Sequence, residues 1–308
     1  QSNDSLQVKF DFAASLQQAF ERRLDQLLEP WLENASAIGS LVFSGGCTLN
    51  CKAMGGIYSR LKPSNLSVRF SNIPYDAGLA VGSALMPDYH LCSISNNPLI
   101  RTPYLGTTFG YSSIVGAIRS SSLKFIEGVS NSHIYSLLEN GHIIALFKGA
   151  SESGRRALGH RSIIADPSNP NIKSIINKKV KHRPLWRPFA PMMTSEAAQT
   201  VFQTDVYSPY MSIALHVSPE WTEKLSSVIH HDKTARVQTV DQINEPWLYN
   251  FLAAWHKHSG VPAILNTSFN DSEPIVESPS QACATFIRTN IDYLWFADEE
   301  ILVSKDTL

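Results

Sequence analysis

Residues Lys148–Pro191 read KGASESGRRALGHRSIIADPSNPNIKSIINKKVKHRPLWRPFAP. Ten basic side chains (Lys148, Arg155, Arg156, Arg161, Lys173, Lys178, Lys179, Lys181, Arg183, Arg187) stand here against two acids, Glu152 and Asp166. The local balance is +8 in a chain of net charge −1, so the remaining residues, with 16 basic and 25 acidic side chains, carry −9. Such segregation builds a positive field inside a near-neutral protein. Arginine's planar fork suits phosphate and carboxylate oxygens better than a lysine point charge does. The stretch therefore reads either as a phosphate-handling site or as a solvated basic face. Its order also bears on the fold: an apolar run at Ser162–Ala165, a helical pattern over Asn171–Val180, then an extended run stiffened by Pro184, Pro188 and Pro191.

Outward from this stretch the second half alternates in the same way. Strands are predicted at His142–Phe147, Ser162–Ala165, Ser212–Val217, Arg236–Val240, Ala263–Asn266, Tyr293–Phe296 and Ile301–Val303. Helices are predicted at Ser112–Ile118, His133–Glu139, Asn171–Val180, Trp247–Lys257 and Pro279–Thr289. The pattern predicts an α/β (α+β) domain with a mixed sheet.

In the first half, Phe12, Leu16, Phe20, Leu24, Leu27, Leu28 and Trp31 recur at helical spacing, predicting an amphipathic helix over about residues 10–33. A short buried strand, Ile38–Phe43, runs into Ser44-Gly45-Gly46, and a helix follows from Thr48 to Tyr58. Strand, glycine pair and helix is a nucleotide-contacting layout, and equally that of a tight turn with no ligand. Asn50, in the first helical turn, either contacts a ligand or caps the helix. A further strand, Val68–Asn72, leads through Asp76 into a small-residue helix, Leu79–Leu85. Asp76 reads as a helix cap or as a metal-binding carboxylate. Residues 86–110, rich in Pro, Asn, Ser and Gly, read as a connection, dividing the chain into 1–95 and 96–308.

Composition narrows the function classes. At 308 residues and 43% hydrophobic, the chain is long enough for a sizeable core. No apolar run reaches the roughly 20 residues of a membrane helix, and no signal peptide is read at the start. A pI near 6.9 argues against general attraction to nucleic acid or membrane. Cys47, Cys51, Cys92 and Cys283 form neither a disulfide framework nor a zinc spacing, so reduced thiols and a cytoplasmic protein are expected. The opening Gln1-Ser2-Asn3, running straight into a long helix, reads as a cut end.

Within the basic stretch, Gly154 and Gly159 bracket Arg155–Leu158, and Arg161 precedes a strand. Arg183 and Arg187 lie in the proline-stiffened run, where side chains point in fixed directions. Guanidiniums on rigid turns fit a polyphosphate or acyl-phosphate pocket. His160 is positioned to donate to a phosphate. Lys173, Lys178 and Lys179 read as a solvated helix face. Downstream, Asn266-Thr267-Ser268-Phe269-Asn270 closes a strand, where α/β ligand sites collect.

These segments together resemble the nodulation-type O-carbamoyltransferases, which include antibiotic carbamoyltransferases. The family signature G-x-x-E-x-G-P-R-A-L-G-[NH]-R-S-I-L-A-D-P is matched by Gly149–Pro167, and N-x-x-V-K-x-R with R-P-F-A-P by Asn177–Arg183 and Arg187–Pro191. L-N-T-S-F-N with E-P-I-V is matched by Leu265–Asn270 and Glu273–Val276. In the first half, S-G-G-x-x-L-N-C is matched by Ser44–Cys51 and D-x-G-x-x-x-G by Asp76–Gly82. The resemblance implies the end of an actin-like ATPase lobe that transfers carbamoyl and binds a divalent metal, then a YrdC-like mixed-sheet domain. That second domain makes carbamoyl-adenylate from carbamoyl phosphate and ATP. By the same resemblance, Arg156, Arg161, Lys181, Arg183 and Arg187 hold phosphates. Asn266, Ser268, Asn270 and His160 complete that pocket; Gly45, Gly46 and Asn50 contact nucleotide; and Asp76 ligates the metal.

The chain departs from the family at Arg155, where a proline is usual, at Ser153, where an aromatic is usual, and at Cys47. The family's upstream His-x-x-x-His and first phosphate loop are not in these residues. The expectation is the C-terminal portion of a longer enzyme, with the N-terminal half as a partner and a hydroxyl compound (a sugar, an antibiotic or similar) as acceptor. A second expectation, of a different class, is a non-catalytic nucleotide- or tRNA-binding module with a YrdC-like fold.

Overall fold

The computed structural model describes residues 2–32, 39–62, 66–90 and 102–305. The 95/96 division lies outside the described residues. The chain runs α1 (Ser2–Leu32), β1 (Ser40–Phe43), a 3-10 turn (Gly46–Leu49), α2 (Cys51–Leu61), β2 (Ser67–Phe70) and α3 (Gly78–His90). After residue 102 come α4 (Tyr111–Ser120), β3 (Lys124–Ile126), α5 (Asn131–Glu139), β4 (Ile144–Phe147) and β5 (Arg161–Ala165). Next are α6 (Ile172–Ile175) with a π turn (Ile176–Val180), β6 (Ala190–Thr194), α7 (Ser195–Phe202), β7 (Ala214–His216), β8 (Thr234–Arg236) and β9 (Gln238–Val240). The chain closes with α8 (Pro246–Ser259), β10 (Ile264–Ser268), α9 (Pro279–Arg288), β11 (Tyr293–Phe296) and β12 (Ile301–Ser304).

The expected α/β architecture with a mixed sheet holds. Eight strands order as β3-β12-β11-β4-β5-β10-β6-β9, with β11–β4 and β6–β9 parallel and the other pairs antiparallel. Every residue of β4, β5 and β6 is buried, so these strands are covered on both faces and read as apolar runs rather than alternations. Helix α8 packs over β6 and beside α5, and α4 packs against α9.

Register gathers the motifs. Phe147 faces Arg161 across β4–β5, Ser268 faces Ser162 across β10–β5, and Asn266 faces Ala190 across β10–β6. The end of β4, the starts of β5 and β6 and the end of β10 therefore meet at one end of the sheet. The first segment joins the same core: Ala53, Met54 and Ile57 of α2 are buried in one cluster with the sheet. Contact is closest at Gly55, where an added methyl would run into the Ala214 carbonyl oxygen of β7.

Several expectations need correcting. The single strand predicted over Arg236–Val240 is two strands: β8 pairs with β7, β9 with β6. Strand β6 was hidden by Pro191, which suggests an edge or a turn; here it sits opposite Leu265 inside the sheet. Strand β3 and helix α7 were not expected. The helix over Asn171–Val180 loosens into its π turn after Ile175. On α1, Phe20, Leu24 and Leu28 pack on the core, but Phe12, Leu16, Leu27 and Trp31 stay exposed.

Candidate functional site

The loop between β4 and β5 is folded around one carboxylate. Glu152 Oε1 accepts backbone N–H bonds from Leu158 (2.6 Å), His160 (2.8 Å) and Arg161 (3.2 Å). Gly159 crosses this nest at φ +106°, a left-handed conformation that a side chain would strain. The loop's carbonyls are also held: Ala157 O by Asn266 Nδ2 (3.1 Å), and Leu158 O by Gln238 Nε2 (2.7 Å) and Tyr104 Oη (2.9 Å). Asn266 Nδ2 in turn donates to Gln238 Oε1 at 2.8 Å, while Asn266 Oδ1 is shut off from solvent without a partner.

Arg161 is not a free phosphate ligand. It is fully buried, and its guanidinium donates to the carbonyls of Lys148 (2.6 Å), Gly149 (3.0 Å), His160 (3.1 Å) and Glu277 (3.3 Å) while lying 3.5 Å over the Phe147 ring. It staples the loop to the sheet. Burial lowers its pKa to about 10, against the pull of Glu152. His160 is engaged on one side: Nδ1 lies 2.7 Å from Ala150 O and the ring stacks on Tyr104 at 3.7 Å, while the buried Nε2, 3.4 Å from Glu245 Oε2, makes no hydrogen bond.

The available cations lie just outside this scaffold. The side chains of Arg156 and Arg236 make no hydrogen bond or ion pair among the described residues, and the Nε of each is closed to solvent. Burial, and then the neighbouring Arg236, brings the Arg156 guanidinium down to about 10. Burial also lowers Arg236, with Arg183 and Arg187 adding to the effect and Cys51 opposing it. Cys51 thus brings helix α2 of the first segment to the same cluster. Arg183 is aimed by Asn177 Oδ1 (2.6 Å from its Nε) and by the Phe189 ring (4.8 Å), and burial with Arg187 lowers it to about 10. Arg187 is exposed at the rim.

Lys181 meets the end of β10. Its Nζ donates to Asn270 O and Oδ1 (both 2.8 Å), to Ser268 Oγ (3.2 Å) and to Ser268 O. Burial, and then Arg183, brings it down to about 7. Ser268 and Asn270 are bonded to each other (2.6 Å), so this turn positions the lysine. The structure thus brings Arg156, Lys181, Arg183, Arg187, Ser268 and Asn270 together. It adds Arg236, which sequence reading missed: one arginine in a short strand carries no local signal.

The first-segment residues make a separate cleft of about 390 Å³, lined by Gly45, Gly46, Asn72, Tyr75 and Asp76. Asn50 acts as the cap of α2, accepting from Ala53 N at 3.1 Å, and pairs with Gln17 of α1 at 2.8 Å. Asp76 is exposed, and among the described residues no three His, Cys, Asp or Glu side chains gather into a metal site. Asp76 is the one carboxylate lining this cleft among the described residues, a single oxygen donor toward the metal that the resemblance implies. The two regions touch at Arg155, whose guanidinium lies 4.8 Å over the Tyr75 ring, and at Tyr75 Oη, 3.5 Å from Ser153 O.

Fold and site together define a mixed α/β protein with a cationic cluster at the end of its central strands. The chain belongs to the carbamoyltransferase C-terminus family, whose profile matches residues 135–305. It is 33% identical to nodulation protein NolO of Bradyrhizobium diazoefficiens, over 92% of this chain and 53% of the relative. It is 35% identical to nodulation protein NolNO of Sinorhizobium fredii, over 92% and 42%, and 32% identical to an uncharacterized protein of Synechocystis sp., over 94% and 51%. The chain thus spans about half the length of the curated relatives it matches. Among solved structures, T. kodakarensis HypF overlays with a TM-score of 0.38 and 19% identity, over 59% of this chain and 22% of that one, too slight a likeness to argue from. No helix among the described residues is long and apolar enough to cross a membrane.

Proposed function

We propose that this chain is the C-terminal portion of an ATP-dependent O-carbamoyltransferase. Residues 96–308 form carbamoyl-adenylate from carbamoyl phosphate and ATP in a YrdC-like domain. Residues 1–95 belong to an actin-like domain that delivers the carbamoyl group to a hydroxyl acceptor with the rest of the polypeptide. The free thiols Cys47, Cys51 and Cys283 fit a cytoplasmic setting.

One observation carries the reading: Arg156 and Arg236 hold their Nε away from solvent with no partner, within the field of Arg183 and Arg187. Desolvating unpaired cations is costly, and like charges nearby add to the cost. Phosphate oxygens relieve both, and do so most where negative charge builds on a transferring phosphoryl group. Membership of the carbamoyltransferase C-terminus family supports carbamoyl phosphate as the phosphate compound. The test is incubation with labelled carbamoyl phosphate and ATP. Carbamoyl-adenylate and pyrophosphate are expected, together with the inorganic phosphate released as carbamoyl phosphate takes up one water, and transfer to an alcohol should require the longer polypeptide. A folded chain that yields neither carbamoyl-adenylate nor pyrophosphate would overturn the reading.

A further inference from the structure

Between the two pocket arginines Arg183 and Arg187, the chain makes a tight turn, Pro184-Leu185-Trp186-Arg187, closed by Arg187 N donating to Pro184 O at 3.2 Å. The turn is held from below by Asn177, which is fully buried. Asn177 Nδ2 donates to the carbonyls of Leu185 (3.3 Å) and Arg187 (2.9 Å), and its Oδ1 accepts from Arg183 Nε. Prolines 184 and 188 stiffen both sides. At the apex, Trp186 is 75% exposed. A recess of about 510 Å³ lined by Lys178, His182, Arg183, Pro184 and Leu185 opens along the residues that precede it in the turn.

An indole left in water by a rigid turn forgoes the burial that large aromatic side chains usually gain. The turn that presents this ring is flanked by Arg183 and Arg187 of the cationic cluster. We infer that Trp186 is the stacking platform for the purine base of the nucleotide whose phosphates the arginine cluster holds. A nucleotide anchored by its phosphates directs its base outward, away from the guanidiniums, and the recess lined by Pro184 and Leu185, the residues before Trp186 in the turn, gives it room. Trp186 then adds affinity for the base: every base has a π-face, and purines offer the larger one. Asn177 is a positioning residue, setting the ring and Arg183 together. The inference rests on reading the cluster as a nucleotide-phosphate site.

Two probes separate the claims: ATP, and inorganic tripolyphosphate, which has the phosphates without the base. Binding is measured by calorimetry on wild type, Trp186→Phe and Trp186→Ala. Trp186→Ala should weaken ATP by about tenfold, within what base–aromatic stacking supplies, and leave tripolyphosphate unchanged. Trp186→Phe should keep most of the affinity, and ATP should quench wild-type tryptophan fluorescence more than that of Trp186→Phe. Equal ATP affinity in wild type and Trp186→Ala overturns the inference. A change in sedimentation with ATP binding intact also overturns it, assigning the ring to a protein contact. If wild type binds neither probe, the cluster reading itself fails.

Discussion

The arginine loop and the Gly45–Asp76 cleft are both polar turns at strand ends, yet they are built to opposite plans. In the loop, Glu152, Arg161, Asn266 and Gln238 satisfy backbone groups from within, leaving rigid backbone and unsatisfied side chains. In the cleft, Asn50 is taken up by a cap and by Gln17, Asp76 faces solvent alone, and nearby Val42 and Leu79 are exposed. One region is bonded from within, and the other leaves acidic and apolar side chains exposed among the described residues. A charged side chain near a site is thus of two kinds, one that builds the site and one that waits for a ligand, and hydrogen-bond satisfaction tells them apart.

The sharpest way to break this contrast is at Arg161. Arg161→Ala removes the staple from four carbonyls and should cost about 3–5 kcal/mol of stability in urea denaturation, the scale for disrupting a buried charged network. Arg156→Ala and Arg236→Ala should do the reverse. Each should lower carbamoyl-adenylate formation by about 10²–10³, as for loss of one charge-stabilising donor. Their melting temperatures should stay level or rise, because an unpaired cation is removed. A stability loss like that of Arg161→Ala would show these arginines to be structural.

Gly55→Ala tests the seam between the regions. The methyl has no room against the Ala214 carbonyl, and overpacking of this kind costs about 1–3 kcal/mol. A smaller signal comes from Lys181. Its folded pKa of about 7 lies below the ordinary 10.5, so between those values the unfolded chain holds the extra proton. The cost of burying the ammonium is therefore full below about pH 7 and fades as pH rises toward 10.5. An anion placed beside Lys181 restores its proton. Phosphate binding at pH 8 should thus take up protons, seen by calorimetry in buffers of different ionisation enthalpy, and Lys181→Met should abolish the uptake. The smallest effect belongs to Asp76→Asn, which should leave stability within about 0.5 kcal/mol, as for other exposed positions. It should also leave carbamoyl-adenylate formation unchanged.

Much of this arrangement was legible in the chain. The apolar runs of β4, β5, β10 and β11, the helices around them, the glycine-bracketed loop and the polar end of β10 are local patterns, and local patterns survive folding. Strand β6 was not legible, because Pro191 argues against a sheet interior and only its place opposite Leu265 makes it tolerable. Nor was the fate of individual charges. Arg156 and Arg161 stand five positions apart in one motif and look equivalent, yet one is unpartnered and the other fully bonded.

The amino-acid sequence by itself determined the α/β class, the family, and the concentration of positive charge between Lys148 and Pro191. These follow from composition, periodicity and motif order, which are properties of neighbours along the chain. Tertiary structure alone decided which cations are free, that Arg236 joins them from β8, that Glu152 folds the loop, and that Cys51 reaches the cluster from α2. The physical reason is that whether a charge is satisfied depends on donors and acceptors brought from distant segments. Only the folded sheet sets those distances.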